Sequence, residues 1–431
     1  MSLNININIL SLGCSKNTVD SEFLAGHLIN KGYNVSYGNS QKRNDVVIIN
    51  TCGFIGDAKE ESIDTILYVC ALKEIHKVDK IIVCGCLSGR YKEDLINELP
   101  LVDKFYGVNE WEQLLNYLDI ELKGLYQQDR LLSTPNHYAY FKISEGCDSL
   151  CSYCAIPLIK GRHISRPIEE LIPEAKQLVA SGVKELILVA QNTTYYGIDL
   201  YNERKIVPLL KELLKIEGLE WIRLQYTYPN HFPMELIDLM KEEKRICNYI
   251  DLPVQHINNS ILSSMNRNIT SDEIMNLISD IRTRIPDIAL RTTLIVGYPG
   301  ETEEAFEELK EFVRKVRFDR LGCFMYSAEE GTPAYELEDD ISEELKQQRM
   351  EEILEIQQEI SLEKNQEKVG KEYNVIIDRR EQDFWIARTE YDSPDVDNEV
   401  LISDRFKVEQ GKFYRVKIVE ALEFDLIGEL I

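Results

Sequence analysis

Hydrophobic residues in the first part of the chain alternate between two periodicities. Short runs rich in Ile and Val are typical of strands, and the segments between them carry apolar residues at helical spacing. The predicted strands are 4–12, 45–50 and 80–85. In the first run Ile5, Ile7 and Ile9 alternate with asparagine, which predicts a half-buried strand rather than a signal peptide. Strands that alternate with helices predict a parallel sheet covered by helices, here a Rossmann-like domain over residues 1–130.

The same alternation continues through a second region, which we predict to span residues 133–365. Six runs in it read as strands separated by helical segments: 140–144, 185–191, 221–226, 249–254, 290–297 and 320–326. Six βα units are too few to close an eight-stranded barrel, so the pattern predicts an open, partial (βα)6 barrel. Ser342 is a predicted helix N-cap, and the apolar series that follows it predicts a long linking helix.

The pattern changes to β beyond Gly370. Five short runs follow one another without helical segments between them: 372–378, 383–391, 399–403, 412–421 and 423–430. They predict a five-stranded antiparallel β-barrel over residues 366–431. The chain as a whole is therefore predicted to be α/β, with a third, all-β domain at its end.

Composition narrows the class of protein. The chain has 431 residues, 44% hydrophobic and 29% charged, which is typical of a globular protein of two or three domains. No run approaches the roughly 18 apolar residues of a spanning helix, so no membrane partner and a cytoplasmic location are expected. The ten cysteines would stay reduced there and serve as ligands or core residues. A formal net charge of -25 repels phosphate backbones and favours a basic partner.

Three cysteines lie close together in the second region. Cys147, Cys151 and Cys154 form a C-x3-C-x2-C pattern on the loop after a predicted strand. Three thiolates on one short loop can ligate three irons of a 4Fe-4S cube and leave the fourth iron open. Zinc is the alternative, but a structural zinc site needs four ligands, and no fourth cysteine or histidine stands at a fitting offset. The pattern predicts an iron-sulphur centre.

Three more cysteines are far apart in sequence. Cys14, Cys52 and Cys86 each follow a predicted strand and precede a helix. Because the carboxyl ends of neighbouring parallel strands lie side by side, these residues can converge at one edge of the sheet. The alternative is ordinary buried cysteines, which the turn contexts GCS, TCG and GCL disfavour. Four others lie in apolar patterns and are predicted to be core residues: Cys70, Cys84, Cys247 and Cys323. Cys84 remains a possible substitute ligand because it is two residues from Cys86.

The C-x3-C-x2-C spacing, with Tyr153 before the last cysteine, resembles the signature of the radical S-adenosylmethionine superfamily. The resemblance implies that the open iron chelates the amino and carboxylate groups of S-adenosylmethionine, and that its reductive cleavage yields a 5′-deoxyadenosyl radical. It also implies a partial βα barrel with the site at the C-terminal mouth of the strands. Two further residues near this mouth, Gln191 in VAQNTTYYG and Gly297 in LIVGYPGET, join Tyr153 as candidate cofactor-binding residues.

The order of the six cysteines, followed by a terminal β module, resembles the methylthiotransferase family over essentially the whole chain. The resemblance implies a second 4Fe-4S cluster on Cys14, Cys52 and Cys86, and a TRAM domain at the end of the chain. It implies that one S-adenosylmethionine methylates a sulphur and that a second supplies the radical at the substrate C–H position. It further implies an electron donor such as a flavodoxin or ferredoxin, and two clusters that face each other across the domain boundary. No side chain is predicted to be catalytic, because the clusters carry the chemistry.

Two branches of this family differ in substrate. LGCSKNTVDSE at 12–22 resembles the branch that modifies the β-carbon of an aspartate in a basic small-subunit ribosomal protein, with Ser15 where that branch commonly has proline. The branch that modifies an isopentenyl-adenosine in tRNA typically has Gln-Met-Asn here, and it remains the alternative. A non-catalytic iron-sulphur scaffold is disfavoured, because an electron carrier needs neither an open iron nor a large barrel.

The terminal module carries an acidic run, TEYDSPDVDNE at 389–399. Residues 367–431 hold 16 acidic and 10 basic side chains, a net charge of −6, whereas a domain that neutralises RNA phosphates should be basic. We therefore expect Asp392, Asp395 and Asp397 to attract a basic protein. The alternative is that this run is only a solvated loop.

Overall fold

The structure, a computed structural model, describes residues 5–38, 43–122, 124, 126 and 130–431. The first four residues of the chain, and part of the polar stretch before residue 133, lie outside the described residues. Among the described residues no helix is long and apolar enough to cross a membrane.

The first domain is a five-stranded parallel sheet with helices on its faces, as the sequence predicts. Its strands are β1 (Asn6–Ser11), β2 (Asn34–Tyr37), β3 (Asn44–Thr51), β4 (Val78–Gly85) and β5 (Lys104–Phe105), in the order β2-β1-β3-β4-β5. Its helices are α1 (Ser15–Lys31), α2 (Gly56–Glu74), α3 (Cys86–Glu98) and α4 (Trp111–Tyr117). Alternate side chains of the strands enter two apolar clusters, one on each face. The strands β2 and β5 and the helix α4 were not predicted, since each is short.

The second domain is the predicted open barrel of six parallel strands. They are β6 (Tyr138–Lys142), β9 (Glu185–Val189), β10 (Trp221–Leu224), β11 (Ile246–Asp251), β12 (Ala289–Val296) and β13 (Arg320–Met325), and each pairs with its neighbour in this order. Beside them lies a short antiparallel pair, β7 (Ser144–Glu145) and β8 (Ile164–Ser165). Within the described residues β6 and β13 do not pair, so the barrel stays open.

Helices cover the outside of this sheet. They are α5 (Ile156–Lys160), α6 (Ile168–Ala180), α7 (Ile198–Tyr201), α8 (Ile206–Leu213), α9 (Met234–Glu242), α10 (Asn259–Ser264), α11 (Ser271–Arg284) and α12 (Glu303–Val316). Outward-facing residues such as Phe141 and Leu186 join the largest apolar cluster with these helices. The alternate, inward positions include polar and charged side chains such as Tyr140, Arg223 and Arg291, which is unusual for a closed core.

The predicted linking helix is α13 (Glu343–Gln366). The hydroxyl of Ser342 accepts a hydrogen bond from the backbone N–H of Leu345, which confirms the predicted N-cap. Ile353, Ile356 and Ile360 are buried against the barrel, so the helix is packed onto the second domain along its length.

The third domain is a closed five-stranded barrel. Its strands are β14 (Glu372–Glu381), β15 (Phe384–Thr389), β16 (Val400–Ser403), β17 (Phe413–Ala421) and β18 (Leu426–Leu430), in the order β14-β15-β16-β18-β17. The prediction of five strands is confirmed, but β16 and β18 pair in parallel. A closed barrel with an odd number of strands cannot alternate direction throughout, so one parallel pair is required.

Candidate functional site

The first cysteine loop joins β7 to α5 at the carboxyl end of the barrel strands. Cys151 is buried, and Cys147 and Cys154 are half-buried. The backbone N–H of Cys154 donates to the carbonyl of Cys151 at 3.0 Å, and that of Cys147 donates to the carbonyl of Gly161 at 3.2 Å. These bonds fold the three cysteines into one compact turn.

Hydrogen-bond donors point at the sulphurs of this loop. The backbone N–H of Ser149 lies 3.4 Å from Cys147 Sγ, Arg267 Nη1 lies 3.5 Å from Cys151 Sγ, and the hydroxyl of Tyr228 lies 3.6 Å from the same sulphur. Donors of this kind stabilise thiolates and are typical of iron-sulphur sites. Sequence reasoning missed Arg267 and Tyr228, since they stand on distant loops.

The second group of cysteines stands where three neighbouring strands end. Cys14 follows β1, Cys52 follows β3, and Cys86 is the first residue of α3 after β4. These strands are adjacent in the order β1-β3-β4, so the expected convergence at one edge of the sheet is observed. The Sγ of Cys86 lies 3.9 Å from the side-chain oxygen of Asn17, on the helix that Cys14 opens.

Glycines allow these three loops to approach one another. A Cβ on Gly13 would stand 2.8 Å from Cys52 Sγ, and a Cβ on Gly53 would stand 2.7 Å from the backbone nitrogen of Leu87. Real Cβ atoms do not tolerate such distances, so the glycine beside each cysteine is explained by close packing of the loops. The same packing brings together the loops of Cys14, Cys52 and Cys86, so that their thiolates could bind one shared group.

Burial raises the pKa of at least one thiol in each cysteine group. It raises the pKa of Cys154 to about 12, with a further contribution from the neighbouring Cys151. It also raises the pKa of Cys86 to about 12, although Lys160 partly offsets the effect. A metal centre here would displace these protons, because the ligand is the thiolate.

The structure separates Cys84 from the candidate ligands. Its side chain is fully buried in an apolar cluster with Ile7 and Ile82, on the face of the sheet and not at its edge. Cys70, Cys247 and Cys323 are also buried in apolar clusters, as predicted. We therefore assign Cys84 to the core.

The two cysteine loops abut across the domain boundary. Cys86 packs with Ala155, which follows Cys154 directly, and with Ile159 of α5. Further along the boundary Glu329 binds Arg90 at 2.5 Å and Lys59 at 3.0 Å, which ties the barrel to the first domain. The edge of the first sheet therefore contacts the segment that follows the first cysteine loop.

A buried network of charges that sequence reasoning also missed supports the first loop. Lys142 forms ion pairs with Asp20 of the first domain and with Glu145, and Lys160 Nζ lies 3.5 Å from the Glu145 carboxylate. Gln191 donates its amide to the same carboxylate at 2.8 Å. Burial would raise the pKa of Glu145, but Lys142 and then Lys160 hold it well below the usual value. Glu145, which stands two residues before Cys147, is therefore an anion.

The three predicted cofactor-binding residues differ in their surroundings. The hydroxyl of Tyr153 lies 3.5 Å from Arg267, beside the first loop. The buried side-chain oxygen of Gln191 has no hydrogen-bond partner in the described part of the chain, so it could accept one from a ligand. A Cβ on Gly297 would stand 2.2 Å from Lys346 of α13, and its N–H donates to Glu301. Packing against α13 therefore accounts for Gly297 without a cofactor.

Most of the loop 390–399 does not extend into solvent, although Asp395 and Val396 are exposed. It enters the open barrel and contacts the inward face of the strands. Ser393 accepts a hydrogen bond from Gln225 at 2.7 Å, and the carboxylate of Asp395 accepts one from the hydroxyl of Tyr140 at 2.9 Å. The acidic run therefore closes the end of the barrel at which the strands begin.

Arginines of the barrel neutralise the acids of this loop. Asp392 is buried and accepts from Arg320 Nε at 3.1 Å, and the Asp397 carboxylate lies 3.3 Å from Arg291 Nε. Burial would raise the pKa of Asp392, but the guanidinium of Arg320 more than offsets it. The expectation that these acids attract a basic protein is therefore wrong for Asp392 and Asp397, because their carboxylates are buried and already paired. Asp395 is exposed and bonds to a tyrosine hydroxyl, so for this residue the expectation stays a prediction.

The donor set at both cysteine groups fits iron-sulphur clusters better than a single ion. Within the part of the chain that the structure describes, no three His, Cys, Asp or Glu side chains converge closely enough to hold one metal ion. In a 4Fe-4S cube each cysteine binds a separate iron, so the thiolates need not converge on one centre.

Family models match three parts of the chain. Residues 141–313 match the radical SAM superfamily, 6–107 match the uncharacterized protein family UPF0004, and 369–431 match the TRAM domain. The open barrel and its cysteine loop therefore define a radical S-adenosylmethionine protein, a class that implies a 4Fe-4S cluster and S-adenosylmethionine.

Similar proteins narrow this class. The chain is 53% identical to a ribosomal protein uS12 methylthiotransferase RimO of Christiangramia forsetii over 98% of this chain and 94% of that protein. It is 54% identical to the protein of the same name from Phocaeicola vulgatus over 99% of both. The chain belongs to this family of radical S-adenosylmethionine methylthiotransferases.

Solved structures share the fold at low sequence identity. The radical S-adenosylmethionine methyltransferase TsrM from Kitasatospora setae aligns with a TM-score of 0.56 at 14% identity, over 78% of this chain and 74% of that chain. The cobalamin-dependent enzyme OxsB aligns with a TM-score of 0.53 at 14% identity, over 82% of this chain and 56% of that chain. These similarities concern the fold alone.

Proposed function

We propose that this protein adds a methylthio group to the β-carbon of an aspartate in ribosomal protein uS12, the basic small-subunit protein for which its relatives are named. The observation that carries the proposal is the contact of Cys86 with Ala155 and Ile159. It brings the edge of the first sheet against the first cysteine loop. A sulphur held at the one group could thus meet a substrate radical formed at the other.

We propose that each cysteine group holds one 4Fe-4S cluster. The ligands would be Cys147, Cys151 and Cys154 for the radical-generating cluster, and Cys14, Cys52 and Cys86 for the sulphur-donating cluster. When bound, these clusters and two molecules of S-adenosylmethionine supply methyl transfer to a sulphur and a 5′-deoxyadenosyl radical. In this proposal the chain has three domains, which span residues 1–130, 133–365 and 366–431.

The side chains of this chain would bind and position the groups. Arg267 and Tyr228 direct donors at Cys151, and Tyr153 lies beside Arg267. The buried oxygen of Gln191, which has no partner among the described residues, could accept a hydrogen bond from a bound group. Reduction needs an external electron, and we propose a flavodoxin or ferredoxin as the donor.

Mass spectrometry tests this function. The reconstituted protein is incubated anaerobically with S-adenosylmethionine, a reductant and either uS12 or tRNA. We expect one aspartate of uS12 to gain a methylthio group in place of a hydrogen, and tRNA to stay unchanged. Modification of an isopentenyl-adenosine in tRNA, with uS12 unchanged, would establish the alternative substrate.

A matched variant controls for unspecific reactions. Cys154→Ala should abolish both the modification and the release of 5′-deoxyadenosine, whereas Cys70→Ala, a core cysteine away from both groups, should retain them. If the wild-type protein released no 5′-deoxyadenosine under reducing conditions, the proposed chemistry would be wrong.

A further inference from the structure

Lys16 is a buried cation without a carboxylate partner at the boundary between the two cysteine groups. Its residue is 7% exposed, and its Nζ lies 3.3 Å from the centre of the Tyr226 ring. Among the described residues no Asp or Glu lies within 4.0 Å of this nitrogen. Other cations along the same boundary do have one: Lys59 and Arg90 bind Glu329.

An unpaired buried ammonium is costly. Moving a charge out of water is unfavourable unless a counter-charge compensates it, and a ring face compensates only in part. Glu145 compensates Lys16 only from beyond ion-pair distance, and a bound anion would supply a closer partner.

The residue that Lys16 packs on, Tyr226, has a strained backbone conformation. Tyr226 has a φ of 58°, a left-handed conformation that is uncommon for a residue with a side chain. It is fixed there because its N–H donates to Asp251 at 2.9 Å and its carbonyl accepts from the N–H of Thr193 at 3.0 Å. Strain of this kind persists where the surroundings impose it and is concentrated at ligand sites.

The position of Lys16 is between the two cysteine groups. It stands two residues after Cys14, and Tyr226 stands two residues before Tyr228, whose hydroxyl contacts Cys151 Sγ at 3.6 Å. A ligand that binds Lys16 therefore lies close to both groups.

We propose that Lys16 binds the side-chain carboxylate of the substrate aspartate. The inference rests on the proposed function and names the residue that selects its substrate. The γ-carboxylate is bonded directly to the β-carbon, so anchoring it at Lys16 places the reacting C–H between the two cysteine groups. S-adenosylmethionine also carries a carboxylate, but the radical SAM resemblance assigns that carboxylate to the open iron of the cluster on Cys147, Cys151 and Cys154.

A double-mutant cycle on binding tests the proposal. The dissociation constant is measured anaerobically by fluorescence anisotropy for the reconstituted protein and its Lys16→Met variant, each with uS12 and with uS12 whose modified aspartate is replaced by asparagine. We expect either change alone to weaken binding about ten- to one-hundred-fold, the range of a hydrogen bond between charged groups. The two changes together should weaken it no further.

Matched controls distinguish the two carboxylates. Lys31→Met removes an exposed lysine from the other end of α1 and should leave binding of uS12 unchanged. Lys16→Arg, which keeps the charge, should restore part of the affinity. Affinity for S-adenosylmethionine is measured by equilibrium dialysis on the same proteins, and we expect Lys16→Met to retain it.

Three outcomes would overturn the assignment. The first is equal binding of the aspartate and asparagine forms by the wild-type protein, which needs no variant to fold. The second is additive losses in the cycle, and the third is a loss of affinity for S-adenosylmethionine in Lys16→Met. Each leaves the proposed function standing if the wild-type protein still modifies uS12, whereas absence of that modification would remove the proposed function itself.

Discussion

The carboxylate of Asp397, in the loop between β15 and β16, lies 3.3 Å from the guanidinium of Arg291 on the inward face of β12. Arg291 Nη1 in turn lies 3.3 Å from the carboxylate of Asp251, which holds the backbone of Tyr226. The terminal domain is thus connected through two side chains to the residue beneath Lys16. Its loop closes the barrel from the end opposite the cysteines.

We predict that removing an acid from this loop destabilises the protein. Asp392→Ala would leave Arg320 buried without its partner, which costs about 3–5 kcal/mol of unfolding free energy. Asp404→Ala, whose partner Arg380 is exposed, should cost no more than about 1 kcal/mol. Urea denaturation followed by fluorescence measures both.

A second variant separates the ion pair from the loop as such. Replacing Arg320 by Met together with Asp392→Ala removes both charges and should recover most of the lost stability. If Asp392→Ala were as stable as Asp404→Ala, the loop would not be docked as described. In that case, if charge reversal at Asp392 weakened the binding of uS12, a loss of stability could not explain the weaker binding.

Much of this fold could be predicted from periodicity. Each of the six barrel strands and five terminal strands shows apolar runs or alternation bounded by turn residues, and tertiary contacts do not override these local signals. The convergence of Cys14, Cys52 and Cys86 could also be predicted, because parallel strands end at a common edge.

The role of the acidic loop could not be predicted, because it depends on partners distant in sequence. Asp392 and Asp397 pair with arginines 72 and 106 residues away. A net charge counts every acid as if it faced solvent, and it therefore cannot distinguish a capture loop from one neutralised inside a barrel. The contact of Lys16 with the Tyr226 ring could not be predicted from the sequence for the same reason.

Iron content tests the assignment of two clusters. We predict about eight irons per reconstituted chain, and about four after Cys14, Cys52 and Cys86 are all replaced by alanine. The variant should still cleave S-adenosylmethionine reductively, since the other loop is intact. Cys84→Ala, two residues from Cys86 but buried in the core, should retain about eight irons. An unchanged iron content in the triple variant would contradict the assignment.

Arg267 should raise the reduction potential of the centre on the first loop. Its guanidinium lies 3.5 Å from Cys151 Sγ, and a donor at a ligating sulphur stabilises the more negative, reduced form. We predict that Arg267→Met lowers the midpoint potential by on the order of 50 mV. For a one-electron couple this shift corresponds to the net free energy of about one hydrogen bond.

The measurement is a redox titration followed by electron paramagnetic resonance. It is made in the protein that lacks Cys14, Cys52 and Cys86, so that a single centre contributes. Tyr228→Phe removes only a hydroxyl at 3.6 Å and should give a smaller shift in the same direction. Equal potentials in all three proteins would show that neither donor acts on the sulphur.

Lys368 gives the stability of the protein a dependence on alkaline pH. It lines a cavity of about 400 Å³ between the second and third domains, where burial, and then the charge of Arg320, lower its pKa to about 8. In the unfolded chain the pKa of a lysine is about 10.4, so between these values the unfolded state binds more protons. Stability therefore rises with pH over this window, and the cost of the charged lysine is fully present below pH 8.

We predict that Lys368→Met raises the melting temperature at pH 7 and that the gain disappears as the pH approaches 10.4. Lys371→Met, which removes an exposed lysine from the rim of the same cavity, should change the melting temperature little at either pH. Differential scanning calorimetry of the three proteins between pH 7 and pH 10.4 measures the difference. A lower melting temperature for Lys368→Met at pH 7 would mean that the charge stabilises the junction, through Asp392, more than its burial costs.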